Sequence, residues 1–226
     1  MVPIKGIIKD SMLDWPGKLS YVIFTGGCNL RCAYCHNPQF VEGWQDMEEI
    51  PKSEVMAYLK RKRRWIEGVV LSGGEPTIHS DLPDIIKEIR ALDFPIKLET
   101  NGTNSDLLED MLKERLLDCV SMDIKWPIER YRSYSFDISK SINLIRKAGI
   151  DYEFNTTVVP GIVDGKDIED IAKYISGAKN YTLQQFKSEN IHLLDKVYIN
   201  KQPYSKAEME QFAQIARQYV PNTRLR

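Results

Sequence analysis

The stretch "SYVIFTGGCNLRCAYCHNP" (residues 20–38) runs from a short apolar segment into a loop that carries three cysteines. Residues 20–25 are mostly β-branched, aromatic or apolar, which is typical of a buried strand. The loop then places Cys28, Cys32 and Cys35, here called the cysteine triad, in C-x3-C-x2-C spacing. Thiolates are soft ligands that select zinc, copper(I) or iron–sulfur clusters. The stretch therefore predicts a strand whose carboxyl end leads into a metal site.

Further apolar, β-rich runs follow along the chain, and they alternate with segments of helical periodicity. Strands are predicted at 20–25, 68–72, 95–100, 118–124, 152–159 and 181–186. Helices are predicted at 52–65, 81–92, 105–116, 138–148, 167–177 and 205–219. Strand–helix units in succession favour an α/β fold with an all-parallel sheet, either open or curved into a partial barrel. No linker divides the chain, so we expect one domain over 1–226, with its core at about 18–186 and a loop plus helix at 187–226.

Each unusual motif lies at, or just after, the carboxyl end of a predicted strand. After the cysteine triad these motifs are "SGGEP" (72–76), "ETNG" (99–102), "DIK" (123–125), "VVPG" (158–161) and "QQF" (184–186). In parallel α/β folds the active site forms at the carboxyl ends of the strands. The motifs are therefore expected to contribute to one site.

Composition excludes several classes of function. Lysine plus arginine number 31 and aspartate plus glutamate 32, so the formal net charge of the 226 residues is −1. That balance gives no general reason to expect nucleic acid or an acidic membrane as a partner. The first residues lack the apolar core of a signal peptide, and no apolar run reaches the length of a membrane span. We expect a cytoplasmic protein, in which clustered thiols bind metal rather than form disulfides.

The number of ligands narrows the choice of metal. A structural zinc site needs a fourth cysteine or histidine, and His36 is too close in sequence to Cys35 to complete the tetrahedron comfortably. Cys119 lies in an apolar run and is interpreted as a small buried hydrophobic residue. A 4Fe–4S cluster on three cysteines explains the spacing better, because its fourth iron stays open for a substrate or cofactor. A structural zinc knot is the alternative.

The segment "LDWPGKLSYVIFTGGCNLRCAYCHNP" (13–38) resembles the radical S-adenosylmethionine (SAM) enzymes. Within them it is most similar to the activating enzymes of glycyl-radical enzymes, in particular those of anaerobic (class III) ribonucleotide reductase. The resemblance continues through the later motifs to about residue 186. It implies a partial (β/α)6 barrel that is open on one side.

The resemblance also implies the chemistry. One 4Fe–4S cluster on the cysteine triad binds SAM at its open iron and cleaves it reductively, and the 5′-deoxyadenosyl radical takes a hydrogen atom from a glycine Cα of a partner polypeptide. Some members also bind a monovalent cation, for which Glu99, Thr100 and Asp123 are the matches. The residues expected to bind the cofactor are Tyr34, His36, Gly73, Gly74, Glu75, Glu99, Thr100, Asn101, Asp123, Lys125 and Val159.

Physical roles for these residues follow from their types and spacing. The glycines of "SGGEP" let the backbone approach a ligand, and Glu75 or the amides of its loop can meet the SAM ammonium group. Asn101 and Gly102 allow a tight turn after a strand. Asp123 and Lys125 lie at i and i+2, so both can face one pocket.

The sequence also leads to expectations about partner proteins and about alternative functions. Four cysteines cannot hold a second cluster, so electrons must come from an external donor of the flavodoxin or ferredoxin type. The segments 14–17 and 187–204 are expected to rim the opening for the partner polypeptide. The basic run 60–65 is interpreted as a solvated face or docking rim, and His79 and His192 as surface residues. The alternative functions are activation of a pyruvate formate-lyase-type enzyme, radical SAM chemistry on a small molecule, and electron transfer by an iron–sulfur carrier.

Overall fold

The computed structural model describes residues 1–188 and 192–226. Contacts divide these residues into two compact units. The first unit comprises Met1–Arg31, Asn37–Thr100 and Asp106–Val120. The second comprises Cys32–His36, Asn101–Ser105 and Ser121–Arg226. The expectation of one domain over 1–226 stays a prediction.

The first unit contains strands that lie side by side in chain order. They are β1 (Ile4–Ser11), β2 (Ser20–Thr25), β3 (Gly68–Gly73) and β4 (Ile96–Thr100). β2, β3 and β4 are parallel, with Ser20 opposite Gly68 and Val69 opposite Ile96. β1 is antiparallel to β2. The parallel strands therefore end at one edge, where the chain leaves β2 for the cysteine triad.

Amphipathic helices connect these strands. They are α1 (Lys52–Lys62), α2 (Leu82–Arg90) and α3 (Ser105–Lys113), whose first residue belongs to the second unit. In α2 the fully or nearly fully buried Ile85, Ile86 and Ile89 recur at helical spacing and form its apolar stripe. Strand β5 (Cys119–Asp123) follows, and its last three residues belong to the second unit.

The second unit repeats the alternation of strand and helix. Its strands are β6 (Asp151–Val158), β7 (Tyr181–Gln185) and β8 (Thr223–Leu225), which pair in parallel and in chain order. Its helices are α4 (Ile128–Arg132), α5 (Ser139–Lys147), α6 (Gly165–Tyr174) and α7 (Lys206–Arg217). Capping boxes start α6 and α7, through Asp164 with Asp167 and Ser205 with Glu208.

The predicted strands and helices are found within a few residues of their expected bounds. The expectation of an all-parallel sheet is wrong, because β1 runs antiparallel to β2. The sequence analysis also missed β8 and the short helix α4. Among residues 1–188 and 192–226, no helix has both the length and the apolarity that crossing a bilayer requires.

Candidate active site

The loop after β3 is held against the loop after β2 by close backbone contact in the first unit. Gly73 has φ +122°, and a Cβ built on it would overlap the backbone of Thr25. A Cβ on Gly74 would overlap the carbonyl oxygen of Gly27. No side chain fits at either position, so the glycines of "SGGEP" are required for the approach of two backbones to each other.

Glu75 is 1% exposed and binds its own loop. Its Oε1 accepts hydrogen bonds from the Thr77 amide at 3.1 Å and from the Thr77 hydroxyl at 2.6 Å. The same oxygen accepts a hydrogen bond from the hydroxyl of Thr100 at 2.7 Å. The structure thus brings together two predicted site residues, Glu75 in the loop after β3 and Thr100 at the end of β4. Their contact with SAM stays a prediction.

Glu99 is held by residues of β3 and β4. Its Oε2 accepts a hydrogen bond from Ser72 at 2.8 Å, and its Oε1 lies 3.5 Å from the ammonium group of Lys97. Lys97 is only 2% exposed and also donates to the carbonyl oxygen of Asp14 at 2.6 Å. The sequence analysis missed Lys97, although its i, i+2 spacing to Glu99 is the signal that was recognised in "DIK".

The cysteines are all free of disulfides in the structure. Cys28 belongs to the first unit, where its Sγ accepts a hydrogen bond from the Leu30 amide at 3.4 Å. Cys32 and Cys35 belong to the second unit, where the Cys35 amide donates to the Cys32 carbonyl at 2.9 Å and closes a turn. Within residues 1–188 and 192–226, no three His, Cys, Asp or Glu side chains lie in an arrangement that would hold a metal ion.

Electrostatics in the second unit link the cysteine loop to "DIK". Burial raises the pKa of the Cys32 thiol, the charge of Lys125 opposes this, and Cys35 adds to the rise. Lys125 forms an ion pair with Asp123 at 3.2 Å, and its amide donates to the Tyr131 hydroxyl at 2.7 Å. Burial alone would lower the pKa of Lys125. Interactions with neighbouring groups, the largest of them with the Asp123 carboxylate, instead hold this pKa well above its usual range. The side chains of Asp123 and Lys125 therefore contact each other, and the prediction that both face one cofactor pocket stays a prediction.

Tyr34 lies between Cys32 and Cys35 in the loop and is 5% exposed. Its hydroxyl has no hydrogen-bond partner among the described residues. Burial raises the pKa of this hydroxyl well above its usual value, so it stays protonated. A buried hydroxyl without a partner is costly, and a bound group at this position could relieve that cost.

His36 packs against the start of the segment after β7. Its Nε2 lies 3.3 Å from the Lys187 carbonyl and donates to it, and its ring stacks on Phe186 with 6.1 Å between centroids. Burial lowers the pKa of His36. The amide of Asp195 donates to the carbonyl of Ala33 at 2.9 Å. Part of the predicted rim 187–204 therefore contacts the cysteine loop, while residues 189–191 of that rim lie outside the described residues.

Two further predicted residues have local structural roles. The Asn101 side chain accepts hydrogen bonds from the amide and the hydroxyl of Thr103, at 3.0 Å and 2.7 Å, and so forms the tight turn that was expected. Val159 is fully buried, and its carbonyl accepts from the amides of Ile162 and Val163, both at 2.9 Å. Their contact with the cofactor stays a prediction.

The structure confirms some of the remaining predictions and contradicts others. Cys119 is buried in an apolar cluster with Trp15, as expected, and His192 is exposed. The placement of His79 on the surface is wrong: it is half-buried, and its Nε2 lies 2.8 Å from the Gly26 carbonyl. In the predicted rim 14–17, Trp15 is buried, whereas Pro16 and Gly17 are exposed, as are Met12 and Leu13 just before the rim.

Comparison with known proteins gives a coherent result. Residues 22–175 match the model of the radical SAM superfamily. A Methanocaldococcus jannaschii protein that carries the name of a glycyl-radical enzyme activating enzyme is 33% identical over 99% of this chain and 95% of its own. A Pyrococcus abyssi protein named as a GTP 3′,8-cyclase is 34% identical over 74% of this chain and 56% of its own. The pyruvate formate-lyase-activating enzyme of Clostridium pasteurianum is 28% identical over 78% of this chain and 77% of its own.

Among solved structures, Streptococcus suis SuiB bound to its precursor peptide SuiA has a TM-score of 0.67 to this chain at 14% identity. The superposition covers 91% of this chain and 48% of SuiB, so the chain spans about half the length of that protein. This likeness bears on the fold alone. Together with the family match, it confirms the predicted α/β fold of the radical SAM type.

Proposed function

Because the chain belongs to the radical SAM superfamily, we propose that it is an activating enzyme that generates a glycyl radical on a partner polypeptide. Radical SAM enzymes use a 4Fe–4S cluster and SAM for radical-generating, oxidoreductase-type chemistry. The observation that carries the proposal is the nearly full-length similarity to the archaeal relative named as a glycyl-radical enzyme activating enzyme. A full-length match is more informative than the motifs alone, because it includes the segment that follows the cofactor motifs.

The cysteine triad has the donor chemistry of a three-cysteine 4Fe–4S cluster, and we assign the cluster to it. Its thiols form no disulfide, and the fourth cysteine, Cys119, is buried in the apolar core. The cationic side chain of Lys125 favours the thiolate form of Cys32 that a metal ligand requires. Burial of Cys32 and Tyr34 keeps water from this part of the loop.

SAM would be held by groups from several strand ends. Asp123 orients the Lys125 ammonium, which would pair with the SAM carboxylate. Glu75, tied to Thr100, fixes the loop whose backbone would meet the SAM amino group. Tyr34 would donate its hydroxyl hydrogen to the bound cofactor. When bound, the cluster and SAM supply a one-electron cleavage that yields methionine and a 5′-deoxyadenosyl radical.

The hydrogen atom would come from a glycine Cα–H bond of the partner. The radical that the cofactor supplies would take up this hydrogen atom, and the unpaired electron would stay on the glycine. We favour anaerobic ribonucleotide reductase as the partner, on the basis of the resemblance of the segment 13–38 to its activases that is proposed from the sequence. The electron would come from an external flavodoxin or ferredoxin, since the sequence has a single group of clustered cysteines. Clustered cysteines that form no disulfide also support a site of action in the reducing cytoplasm.

Two enzyme alternatives remain as competing outcomes. The similarity to a pyruvate formate-lyase-activating enzyme supports a partner of that type. The similarity to a GTP 3′,8-cyclase supports a small-molecule substrate, although it covers just over half of that relative. An iron–sulfur carrier would not need the pair Asp123 and Lys125 beside the cysteine loop.

The decisive experiment supplies each candidate substrate to anaerobically reconstituted enzyme with SAM and a one-electron reductant. The substrates are a class III ribonucleotide reductase, a pyruvate formate-lyase and GTP, with a glycine-to-alanine variant of each polypeptide as control. The readouts are 5′-deoxyadenosine and the electron paramagnetic resonance doublet of a glycyl radical. We expect the doublet with the reductase and not with its alanine variant.

Other outcomes would redirect or overturn the proposal. A doublet on the lyase alone would transfer the activity to that partner class. Consumption of GTP without any doublet would overturn the activase proposal in favour of small-molecule chemistry. Failure to cleave SAM by a protein that has bound about four irons would contradict the radical SAM assignment of the site.

A further inference from the structure

The two residues before the cysteine triad, Gly26 and Gly27, are held on every side. We call them the loop root. Both amides and both carbonyls of the loop root have hydrogen-bond partners. The bonds are Gly26 N–H to Pro3 O at 3.0 Å, Gly27 N–H to Phe40 O at 2.7 Å, Glu75 N–H to Gly27 O at 2.8 Å and His79 Nε2 to Gly26 O at 2.8 Å.

Such tethers matter because two consecutive glycines have the widest backbone freedom of any dipeptide. Gly27 has φ +92°, a conformation that other residues rarely adopt. The direction in which the chain leaves the loop root sets where the thiol of Cys28 points. Without tethers, the first ligand of the triad would be presented over a range of directions.

His79 differs from the other tethers because it acts through its side chain. Among the described residues that bond the loop root, the remaining three partners are backbone groups. A backbone tether cannot be removed by a simple substitution, whereas the imidazole can. A carbonyl oxygen accepts, so the bond requires the proton on Nε2 of His79.

The imidazole is itself fixed at its base. His79 ends the 3-10 turn Pro76–Ile78, and its amide donates to the Pro76 carbonyl at 3.2 Å. The side chain of Glu75 caps the start of that turn and is bonded to Thr100 of β4. A rigid connection therefore runs from β4 through the 3-10 turn to the loop root.

We infer that His79 is a positioning residue for the cluster: its imidazole holds the Gly26 carbonyl and thereby fixes the direction of the Cys28 thiol. The inference rests on the proposed function, in which Cys28 is a cluster ligand. His79 acts through the Gly26 carbonyl rather than on the reacting atoms. Its loss should alter the geometry of the assembled cluster rather than prevent assembly.

Three variants test this role. His79→Leu removes the donor at similar volume, His79→Gln retains an N–H donor, and Ser80→Ala changes the exposed neighbouring residue. The first measurement is amide hydrogen exchange of the cluster-free protein. We expect exchange at Gly26 and Gly27 to be about tenfold faster in His79→Leu, the effect of losing one hydrogen bond. His79→Gln should restore most of the protection, and Ser80→Ala should match the wild type.

The second measurement uses reconstituted protein. We expect His79→Leu to bind as much iron as the wild type but to give a broadened resonance spectrum of the reduced cluster and about tenfold slower SAM cleavage. His79→Gln should recover a narrow spectrum. Wild-type exchange and an unchanged spectrum in His79→Leu would overturn the inference. If the wild type itself fails to bind a cluster, the proposed function fails, while the exchange experiment still decides whether His79 holds the loop root.

Discussion

The two units fix their candidate site residues by different physical means. In the first unit the backbone dominates: Gly73 and Gly74 lie where a single added carbon would overlap a neighbouring chain. In the second unit charge and burial dominate: Lys125 is held by Asp123 and acts on the thiol of Cys32. Substitutions of these two glycines should therefore damage the fold before they damage binding. Substitutions of the ion pair in the second unit should damage binding before the fold.

Substitutions in the cysteine triad are expected to have the largest effect. They also test whether residues of both units can be equally important for one function. Cys28 lies in the first unit, and Cys32 and Cys35 lie in the second. If all three ligate one cluster, replacing any one with alanine should abolish SAM cleavage, because a cluster held by two thiolates is not retained. Cys119→Ala, in the apolar core, should keep the activity. Iron analysis and a 5′-deoxyadenosine assay measure this, and dependence on Cys119 would contradict the ligand assignment.

The next largest effect concerns Gly74. Alanine at this position places its Cβ against the Gly27 carbonyl, a backbone atom that cannot move aside. We expect Gly74→Ala to lower the free energy of unfolding by about 4 kcal/mol or more, or to prevent folding. Chemical denaturation of the cluster-free protein measures the change.

The exposed Gly149 supplies the matched control. It has φ +74° with no atom within 4 Å of an added Cβ. Alanine there should cost only the backbone strain, about 1 kcal/mol. Equal effects of the two substitutions would show that the contact between the two loops is loose, and the backbone-dominated description of the first unit would be wrong.

Lys125 tests the second unit. Lys125→Ala and Asp123→Ala should weaken SAM binding by about tenfold or more, the effect of a charge-assisted bond worth at least ~1.4 kcal/mol. The iron content should not change, because the thiols remain. Titration calorimetry with SAM on reconstituted protein measures the affinity. Lys113→Ala, which breaks the exposed ion pair with Glu109 at 2.6 Å, is the control. Wild-type affinity in both Lys125→Ala and Asp123→Ala would mean that the pair does not meet SAM.

The sequence predicted most of the architecture because the fold is periodic. Apolar runs alternate with amphipathic helices, and the turn residues lie where strands end. The succession of β2 to β7 along the chain could therefore be inferred directly. The missed elements carry weak signals. β1 contains two lysines and a glycine, β8 has three residues, and α4 has five. A short helix or strand is stabilised mainly by the residues that pack against it in the folded chain. The local sequence pattern does not show which residues these are.

The residues of the candidate site were also predicted only in part. Motif residues such as Asp123 and Lys125 were predicted to face together because a strand repeats every two residues. His79 and Lys97 were not assigned to the site, because their partners are backbone carbonyls 53 and 83 residues away. A carbonyl is present at every residue, so no residue type in the sequence marks it as a partner. Such contacts become visible only in the folded chain.

The smallest expected effects come from two buried tyrosines, one in each unit. The hydroxyls of Tyr21 and Tyr34 have no hydrogen-bond partner among the described residues. Replacing either with phenylalanine removes an unsatisfied group, so each variant should gain about 1 kcal/mol of stability without cofactor. With SAM and cluster bound, Tyr34→Phe should lose affinity by a few-fold, whereas Tyr21→Phe should not. Equal SAM affinity in the two variants would show that the Tyr34 hydroxyl has no role in binding.

The pH dependence of Tyr21 gives a further test within the same pair. Burial, with smaller contributions from Glu54 and Tyr58, raises the pKa of Tyr21 to about 12, whereas an unfolded tyrosine titrates near ~10. Between these values the unfolded chain loses a proton that the folded chain keeps, so the stability of the wild type does not depend on this ionisation below pH ~10 and falls as pH rises from ~10 through 12. Tyr21→Phe should therefore lose less stability than the wild type over this interval, as measured by denaturation at successive pH values. An identical alkaline decline in the two proteins would mean that Tyr21 is accessible to solvent, and that the first unit is less tightly packed than its backbone contacts indicate.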